Sequence, residues 1–338
     1  MKEPTIQIII LNFRTPDMTL RCMETALRDI RTVPGEVLVI DNDSGDGSYE
    51  LIRDTAQEHG WFDDGRLRVI ASDHNGGFGA GMNIGFATPL SNGADPDYFY
   101  LLNSDAFPQP GAMRLLRDFL MANTGAGMVG SYLQGVDGEP HCTAFRYPTI
   151  AGEFEGAART GVFSRLLKNA VVPMGIPTQE TRVDWTAGAS LMIRREVIEE
   201  VGGFDETFFL YYEETDLCHR AARAGWSTHY LPASEVIHIG SASTGMKTWA
   251  RTPQYWFDSR LHYFTKTHGR LYATFATLAR ISGTLIWKTR CLIQSKPQAD
   301  PPGFLVDLIT HSIRATARRH PTTRREPSHS TLVSEDPK

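Results

Sequence analysis

Short apolar runs closed by polar residues set the rhythm of the first hundred residues. Residues 6–11, 37–40 and 67–70 read as buried strands, and the aromatic-rich run 98–102 as a strand covered on both faces. Helical segments fall between them. Thr15-Pro16-Asp17 supplies an N-cap, a proline at the first helical position and an acid in the first turn, for a helix reaching about residue 30. A second helix starts near Ser48, and a glycine-rich one is expected over 78–87. Alternation at this spacing predicts βαβ units and a parallel sheet. Right-handed crossovers then bring the C-terminal ends of the strands to one edge.

Beyond the fourth strand, Pro108, Pro110 and Gly111 turn the chain into a helix over 111–123. A strand over 127–132 and a hairpin turn at 135–138 follow. Residues 148–181, rich in Pro and Gly, are expected as an irregular loop region that orders over a substrate. The apolar run 190–193 leads into a short helix ending near Val201. The aromatic run 208–212 delivers Glu213-Glu214-Thr215-Asp216 to the start of a helix ending near Gly225, and 235–238 reads as a strand closed by His238. Farther on, Leu271, Phe275, Leu278, Ile281, Leu285 and Leu292 recur on one helical face. Arg280 lies opposite and Arg270 and Lys288 near the edge, with Tyr255, Trp256, Trp287 and Arg290 nearby. Two readings of that face stay open: it lies on a membrane surface, or it packs on the body or on a second copy in a homo-oligomer.

Composition sharpens this picture in one respect. Hydrophobic residues at 41% and charged residues at 22% are ordinary for a globular chain of 338 residues. The net charge of −5, however, is split: 246–338 carry 15 Lys and Arg against 6 Asp and Glu, which leaves 19 against 33 before them. A basic arm on an acidic body suits an anionic surface, membrane rather than nucleic acid. Cys22, Cys142, Cys218 and Cys291 form no CxxC pair, which argues against a disulfide framework or zinc site and fits a cytoplasmic protein. No secretory segment and no run of eighteen apolar residues is visible. The organisation expected is a domain over 1–245, a basic amphipathic helical extension over 246–320 and an unstructured tail over 321–338.

The candidate chemistry sits at the strand ends. Asn12, Asp41, Asp73 and Asp105 are expected on one edge, and ligands of open α/β sheets bind outside that edge. Any one of them alone would read as a turn cap. Three acids in four residues, Glu213, Glu214 and Asp216, repel one another and should raise at least one pKa, as a general base requires. Glu213 and Asp216 share a helical face while Glu214 points about 100° away. His238 would join Asp105 as a metal ligand if its strand lay beside residues 98–103. Asp41–Gly47 fails as a calcium loop, because Gly45 and Ile52 stand where ligands are needed. Gly76-Gly77-Phe78-Gly79-Ala80-Gly81 follows the third strand rather than the first, so a Rossmann dehydrogenase is the weaker reading.

Taken together, Ile8 through Arg14, Val39 through Ser48, Asn75 through Gly79, Leu102-Asn103-Ser104-Asp105, Trp185 through Ala189 and Gly203 through Cys218 resemble family 2 glycosyltransferases of the GT-A fold, within them the bacterial rhamnosyltransferase-like group. The resemblance spans about residues 5–245. It implies an α/β nucleotide-sugar-binding domain with a mostly parallel central sheet, a donor-binding part over about 1–132 and an acceptor part over 133–245. It further implies that Asn12, Arg14, Asp41, Asp73, Asn75 and Gly76 line the donor pocket, with Asn103 in place of the first acid of a DxD-type motif. Asp105 and His238 would hold Mg²⁺ or Mn²⁺ on the donor diphosphate. Glu214 takes the place of the general base, with Asp216 as the rival, and Glu213, Gly188 and Trp185 fall on the acceptor side, Trp185 as a stacking platform or as core. The implied reaction is inverting transfer, best from dTDP-L-rhamnose, to a glycan or lipid-linked glycan in surface polysaccharide synthesis, at the inner face of the cytoplasmic membrane. A non-catalytic nucleotide-sugar or glycan-binding protein is the alternative class.

Overall fold

The structure, a computed structural model, describes residues 3–240, 249–298 and 300–317. The tail expected at 321–338 and residues 241–243 after His238 lie outside the described residues. Strands and helices alternate at first as β1 (Ile6–Asn12), α1 (Pro16–Asp29), β2 (Gly35–Asp41), α2 (Ser48–Glu58), β3 (Leu67–Ala71), α3 (Phe78–Ala87) and β4 (Tyr98–Asn103). β3, β2, β1 and β4 lie side by side and parallel, so their C-terminal ends share one edge. Ile8, Ile9 and Ile10 of β1 and Tyr100, Leu101 and Leu102 of β4 are fully buried, as strands covered on both faces must be. The glycines of α3 let it settle onto β1: a Cβ at Gly81 or Gly85 would come within 2.4 Å of Leu11 or 2.6 Å of Ile9. That run of glycines is therefore a helix-on-sheet contact.

The chain does not pass straight from β4 into the next helix. A three-residue strand, β5 (Ala106–Pro108), precedes α4 (Ala112–Ala122) and β6 (Ala126–Gln134). A tight turn at Gly135–Gly138 returns the chain as β7 (Pro140–His141), which pairs with β6. After β8 (Ala144–Phe145), the region expected to be irregular holds two helices, α5 (Ile150–Ala158) and α6 (Gly161–Leu166). Thr149 caps α5 by accepting from the Gly152 amide at 3.0 Å. Gly152 and Gly156 dilute its helical signal, and tertiary packing makes good the loss.

There follow β9 (Thr181–Val183), β10 (Trp185–Thr186), β11 (Ser190–Arg194), α7 (Arg195–Val201), α8 (Glu213–Arg223) and β12 (Ser227–His238). The sheet continues past β4 as β11, β6, β12 and β5. β11 is antiparallel to both neighbours and β12 is parallel to β6, so the second half is mixed. A buried hydroxyl chain crosses it: Tyr100 to Ser190 at 2.7 Å, Ser190 to Ser131 at 2.7 Å and Ser131 to Ser234 at 2.8 Å. Each hydroxyl satisfies the next, so these polar groups cost little and favour this strand register over others.

The helical extension comprises α9 (Gln254–His268), α10 (Arg270–Gln294) and α11 (Phe304–Ala317). Arg260 of α9, 2% exposed, is bonded to Glu153 of α5 at 2.7 Å and to Thr277 of α10 at 3.1 Å. Losing Glu153 would strand the buried charge of Arg260, at about 3–5 kcal/mol. The extension is thus fastened to the body by a contact between residues far apart in sequence. Among the described residues no helix is long and apolar enough to cross a membrane.

Candidate active site

Three loops meet where β1, β2 and β4 end. Asn12 Nδ2 donates to Asp41 Oδ2 at 2.6 Å, and Asp41 also accepts from the Ser44 hydroxyl at 2.7 Å and the Ser44 amide at 3.0 Å. Thr19 donates to Asn12 Oδ1 at 2.7 Å. Arg14, in the left-handed region at φ 56°, donates through its amide to Ser44 Oγ at 3.0 Å and through Nε to the Ser44 carbonyl at 2.9 Å. Thr15 and Ser104 are joined at 3.2 Å. Asn12 and Asp41 are both buried and clasp the loops to each other. Ser44 is the hub of this arrangement, a role that a loop serine does not announce in sequence.

The loop after β3 is held by a second amide. Asn42 Nδ2 donates to Asn75 Oδ1 at 3.0 Å, and the Gly77 amide donates to the same oxygen at 2.9 Å. Asp73 stands exposed on this loop. At Gly76 an added Cβ would press on Ala80 at 2.6 Å. Gly77 has φ +89°, and a Cβ there would lie 1.9 Å from the Phe209 carbonyl oxygen, which accepts from the Phe78 amide at 3.1 Å. The Asn75–Phe78 turn thereby docks against the segment that leads into α8.

Asp105 and His238 come together. His238 Nε2 lies 3.2 Å from Asp105 Oδ1, and the Gly240 amide donates to Oδ2 at 3.0 Å. The contact arises through β5: His238 pairs with Ala106, so β12 neighbours this short strand and not β4, as the sequence condition had required. His238 Nε2 is buried with no hydrogen-bond partner among the described residues. An orphaned imidazole nitrogen beside a carboxylate fits a divalent cation with an N/O donor set, the remaining positions falling to diphosphate oxygens and water. No cluster of three or more protein donors occurs among the described residues, so these two would need a ligand's oxygens to complete the shell. Asn103 ends β4 half-buried, its backbone N–H donating to the Ala189 carbonyl at 3.1 Å.

The acidic cluster separates into three roles. Asp216 is ion-paired to both Arg220 Nε and Lys266 Nζ at 2.8 Å. Lys266 also reaches Asp205 at 2.8 Å, and the His262 hydrogen bond, aided by Lys266, holds that carboxyl well below the usual range. Glu213 is 2% exposed, its Oε2 lacks a hydrogen-bond partner among the described residues, and burial followed by repulsion from Glu214 pushes its pKa well up. Glu214, half-buried, has no cationic partner among the described residues and accepts from the Gly188 amide at 3.0 Å. Burial raises its pKa too, against the pull of that amide. Tyr211 and Tyr212, at φ 70° and 69°, set this turn in the left-handed region, a strain that clusters at functional sites.

Trp185 is packed. Its ring stacks on Phe145 at 4.2 Å and its indole N–H donates to the Arg146 carbonyl at 2.9 Å. One face is therefore already covered. All four cysteines are free.

This geometry can be set beside known proteins. An N-acetylglucosaminyl-diphospho-decaprenol L-rhamnosyltransferase of Mycobacterium tuberculosis is 29% identical over 219 residues, covering 63% of this chain and 69% of its own. The rhamnosyltransferase WbbL of Escherichia coli is 27% identical over 164 residues, covering 48% and 60%. Among solved structures, the mannosyltransferase PcManGT of Pyrobaculum calidifontis, in complex with GDP-Man and Mn²⁺, superposes with a TM-score of 0.55 at 14% identity, over 94% of this chain and 82% of that one. That likeness is one of fold, the GT-A-like sheet with a helical extension. The profile described as glycosyltransferase like family 2 matches residues 4–263, well over half of the chain, and the protein belongs to that family.

Proposed function

We propose that this glycosyltransferase inverts the anomeric centre in a single displacement, with Glu214 as the general base. One observation carries the assignment: of the three clustered acids, only Glu214 combines a raised pKa, partial access to solvent and freedom from a cation. An acceptor hydroxyl ionises far above neutral pH, so a positioned carboxylate must take its proton as the oxygen attacks. The proton passes to Glu214, the new bond forms to the anomeric carbon, and the bond to the diphosphate breaks on the opposite side. Gly188 fixes the carboxylate oxygen that receives the proton. Asp105 and His238 would hold Mg²⁺ or Mn²⁺, whose charge favours departure of the nucleoside diphosphate. The clasped loops at Arg14, Asp41–Gly47 and Asn75 lie at the strand ends where the nucleotide would bind.

dTDP-L-rhamnose is the donor we favour, and a lipid-linked glycan the acceptor class. The support is that the mycobacterial relative and WbbL are both rhamnosyltransferases. The test pairs two measurements. Glu214→Gln should lower transfer by ~10²-fold or more while leaving nucleotide-sugar binding unchanged. Turnover near the wild-type level in that variant would remove Glu214 as base. Tighter binding of a UDP- or GDP-sugar than of any dTDP-sugar would overturn the donor.

A further inference from the structure

α10 is 25 residues long and has one covered face. Ala273, Ala276, Thr277, Gly283, Thr284 and Trp287 are buried. On the other side Leu271, Phe275, Leu278, Leu285 and Leu292 are 72%, 50%, 52%, 50% and 82% exposed. At 100° per residue they fall within about 60° of the line through Leu271, in a stripe roughly 30 Å long. Thr274, Ser282 and Thr289 fill the gaps, so the stripe carries no charge. Ile281, expected on this face, turns instead toward Phe257, Phe304 and Leu308. Singly exposed leucines are normal on a protein surface, but a continuous stripe marks a contact.

A second exposed patch adjoins the C-terminal end of α10. Arg290 donates to the Arg159 carbonyl at 3.0 Å and to Thr160 Oγ1 at 2.7 Å, so α6 begins beside it. α6 exposes Val162 and Leu166 at 61% and 74%, with Arg165 and Lys168 exposed next to them.

Charge decides what covers these patches. Residues 259–299 contain no Asp or Glu and seven Lys and Arg, and residues 156–179 contain no acid and three. Arg260 and Arg280 are paired with Glu153, and Lys266 with Asp205 and Asp216. Arg165, Lys168, Arg270, Lys288 and Lys296 have no ion-pair partner among the described residues. The 4–3 spacing of the leucines would also suit a partner helix. A second copy of α10, however, would set cations against cations along the same contact. Anionic headgroups would neutralise them.

We propose that the outer face of α10, together with α6, docks in the interface of an anionic lipid bilayer, its leucines and phenylalanine below the headgroups and its unpaired cations level with them. The surface holds whichever acceptor the enzyme uses.

The experiment is flotation of the full-length protein with vesicles of phosphatidylcholine alone and of equimolar phosphatidylcholine and phosphatidylglycerol, at low and high salt. Leu285→Glu with Leu292→Glu, and Arg165→Glu with Lys288→Glu, test the two components, and Val136→Glu, exposed at the β6–β7 turn, is the control. Thermal melts confirm that these surface variants fold. Binding to anionic vesicles should exceed binding to neutral ones by at least about tenfold and fall by as much in each double variant, with the control unchanged. The proposal is overturned if the wild-type protein does not float with anionic vesicles at low salt, or if the leucine variant binds as well as wild type. It is equally overturned if the leucine variant dissolves a dimer of a protein that ignores vesicles, for the face then pairs two copies. Transfer to a water-soluble acceptor should survive in every variant, which separates failure of docking from failure of the chemistry.

Discussion

The backbone amide of Gly188 donates to Oε1 of Glu214 at 3.0 Å, joining the loop before β11 to the first turn of α8. Any side chain at that glycine would have to displace the carboxylate. A Cβ would lie 2.8 Å from the same carboxylate oxygen and 3.2 Å from the Phe78 ring. Gly188→Ala must therefore push Glu214 out of its place. A displacement of about 1 Å in a catalytic group costs ~10²-fold in rate, so kcat should fall by that order while donor affinity holds. Steady-state kinetics with a donor-binding isotherm decide it, and an unchanged kcat would mean that Gly188 does not position the base.

Asp216 should answer differently. Its side chain is 3% exposed and neutralises Arg220 and Lys266, which are themselves 23% and 30% exposed. Asp216→Asn leaves Arg220 partly buried without its counter-charge and Lys266 with Asp205 alone. The expected loss is on the order of 2 kcal/mol of stability, below the range for fully buried pairs because both cations keep some water. The pH profile of transfer should not move. If Asp216→Asn melted normally yet lost activity as severely as Glu214→Gln, the base would be Asp216.

Glu213 offers a stability test with a definite sign. Burial and repulsion from Glu214 raise its folded pKa above the value in the unfolded chain, so the folded protein binds the extra proton. Stability contributed by that proton is fully present below the unfolded pKa and is lost as pH rises through the folded one. Glu213→Gln copies the neutral acid and has no proton to lose. Its stability should gain on wild type as pH rises above about 4.5, by up to about 1.4 kcal/mol per pH unit until the folded pKa is reached. Thermal melts of both proteins from acid to neutral pH check this, and a constant difference would show that Glu213 is ionised in the fold.

What could be read in advance follows the range of the forces involved. β1, β2, β4 and α3 stand within a residue or two of their expected bounds, because a buried strand closed by Asn or Asp and a glycine-bounded helix are local signals. β5 has three residues, too few to show any period, yet it brings His238 to Asp105. α5 and α6 were hidden for the opposite reason. Gly152 and Gly156 weaken the local preference, and the Arg260–Glu153 pair that secures α5 spans 107 residues. Asp216 holds two cations, Glu214 accepts from Gly188 and Glu213 is buried, yet as residue types all three acids were visible. Ser44 and Asn42, which bind the loops together, were not, because a polar residue in a loop looks the same whether it faces water or a neighbouring carboxylate.

The pair Asp105 and His238 carries the last prediction. Asp105 accepts from the Gly240 amide as well as facing His238, so truncation to alanine would confuse loss of charge with loss of a loop contact. Asp105→Asn keeps an oxygen for that amide and removes the charge. Prepared with chelator and titrated with Mn²⁺, it should melt near the wild-type temperature but show no Mn²⁺-dependent donor binding and no transfer. His238→Ala deletes the softer ligand and leaves the carboxylate, so it should need more Mn²⁺ for half-maximal transfer and approach wild-type turnover when metal is saturating. The order of the two effects is the informative part: a cation on the diphosphate needs the negative charge more than the imidazole. Near-normal turnover of Asp105→Asn in chelator would show that the diphosphate leaves without a metal held at this place, and His238 would then be only a packing neighbour of Asp105.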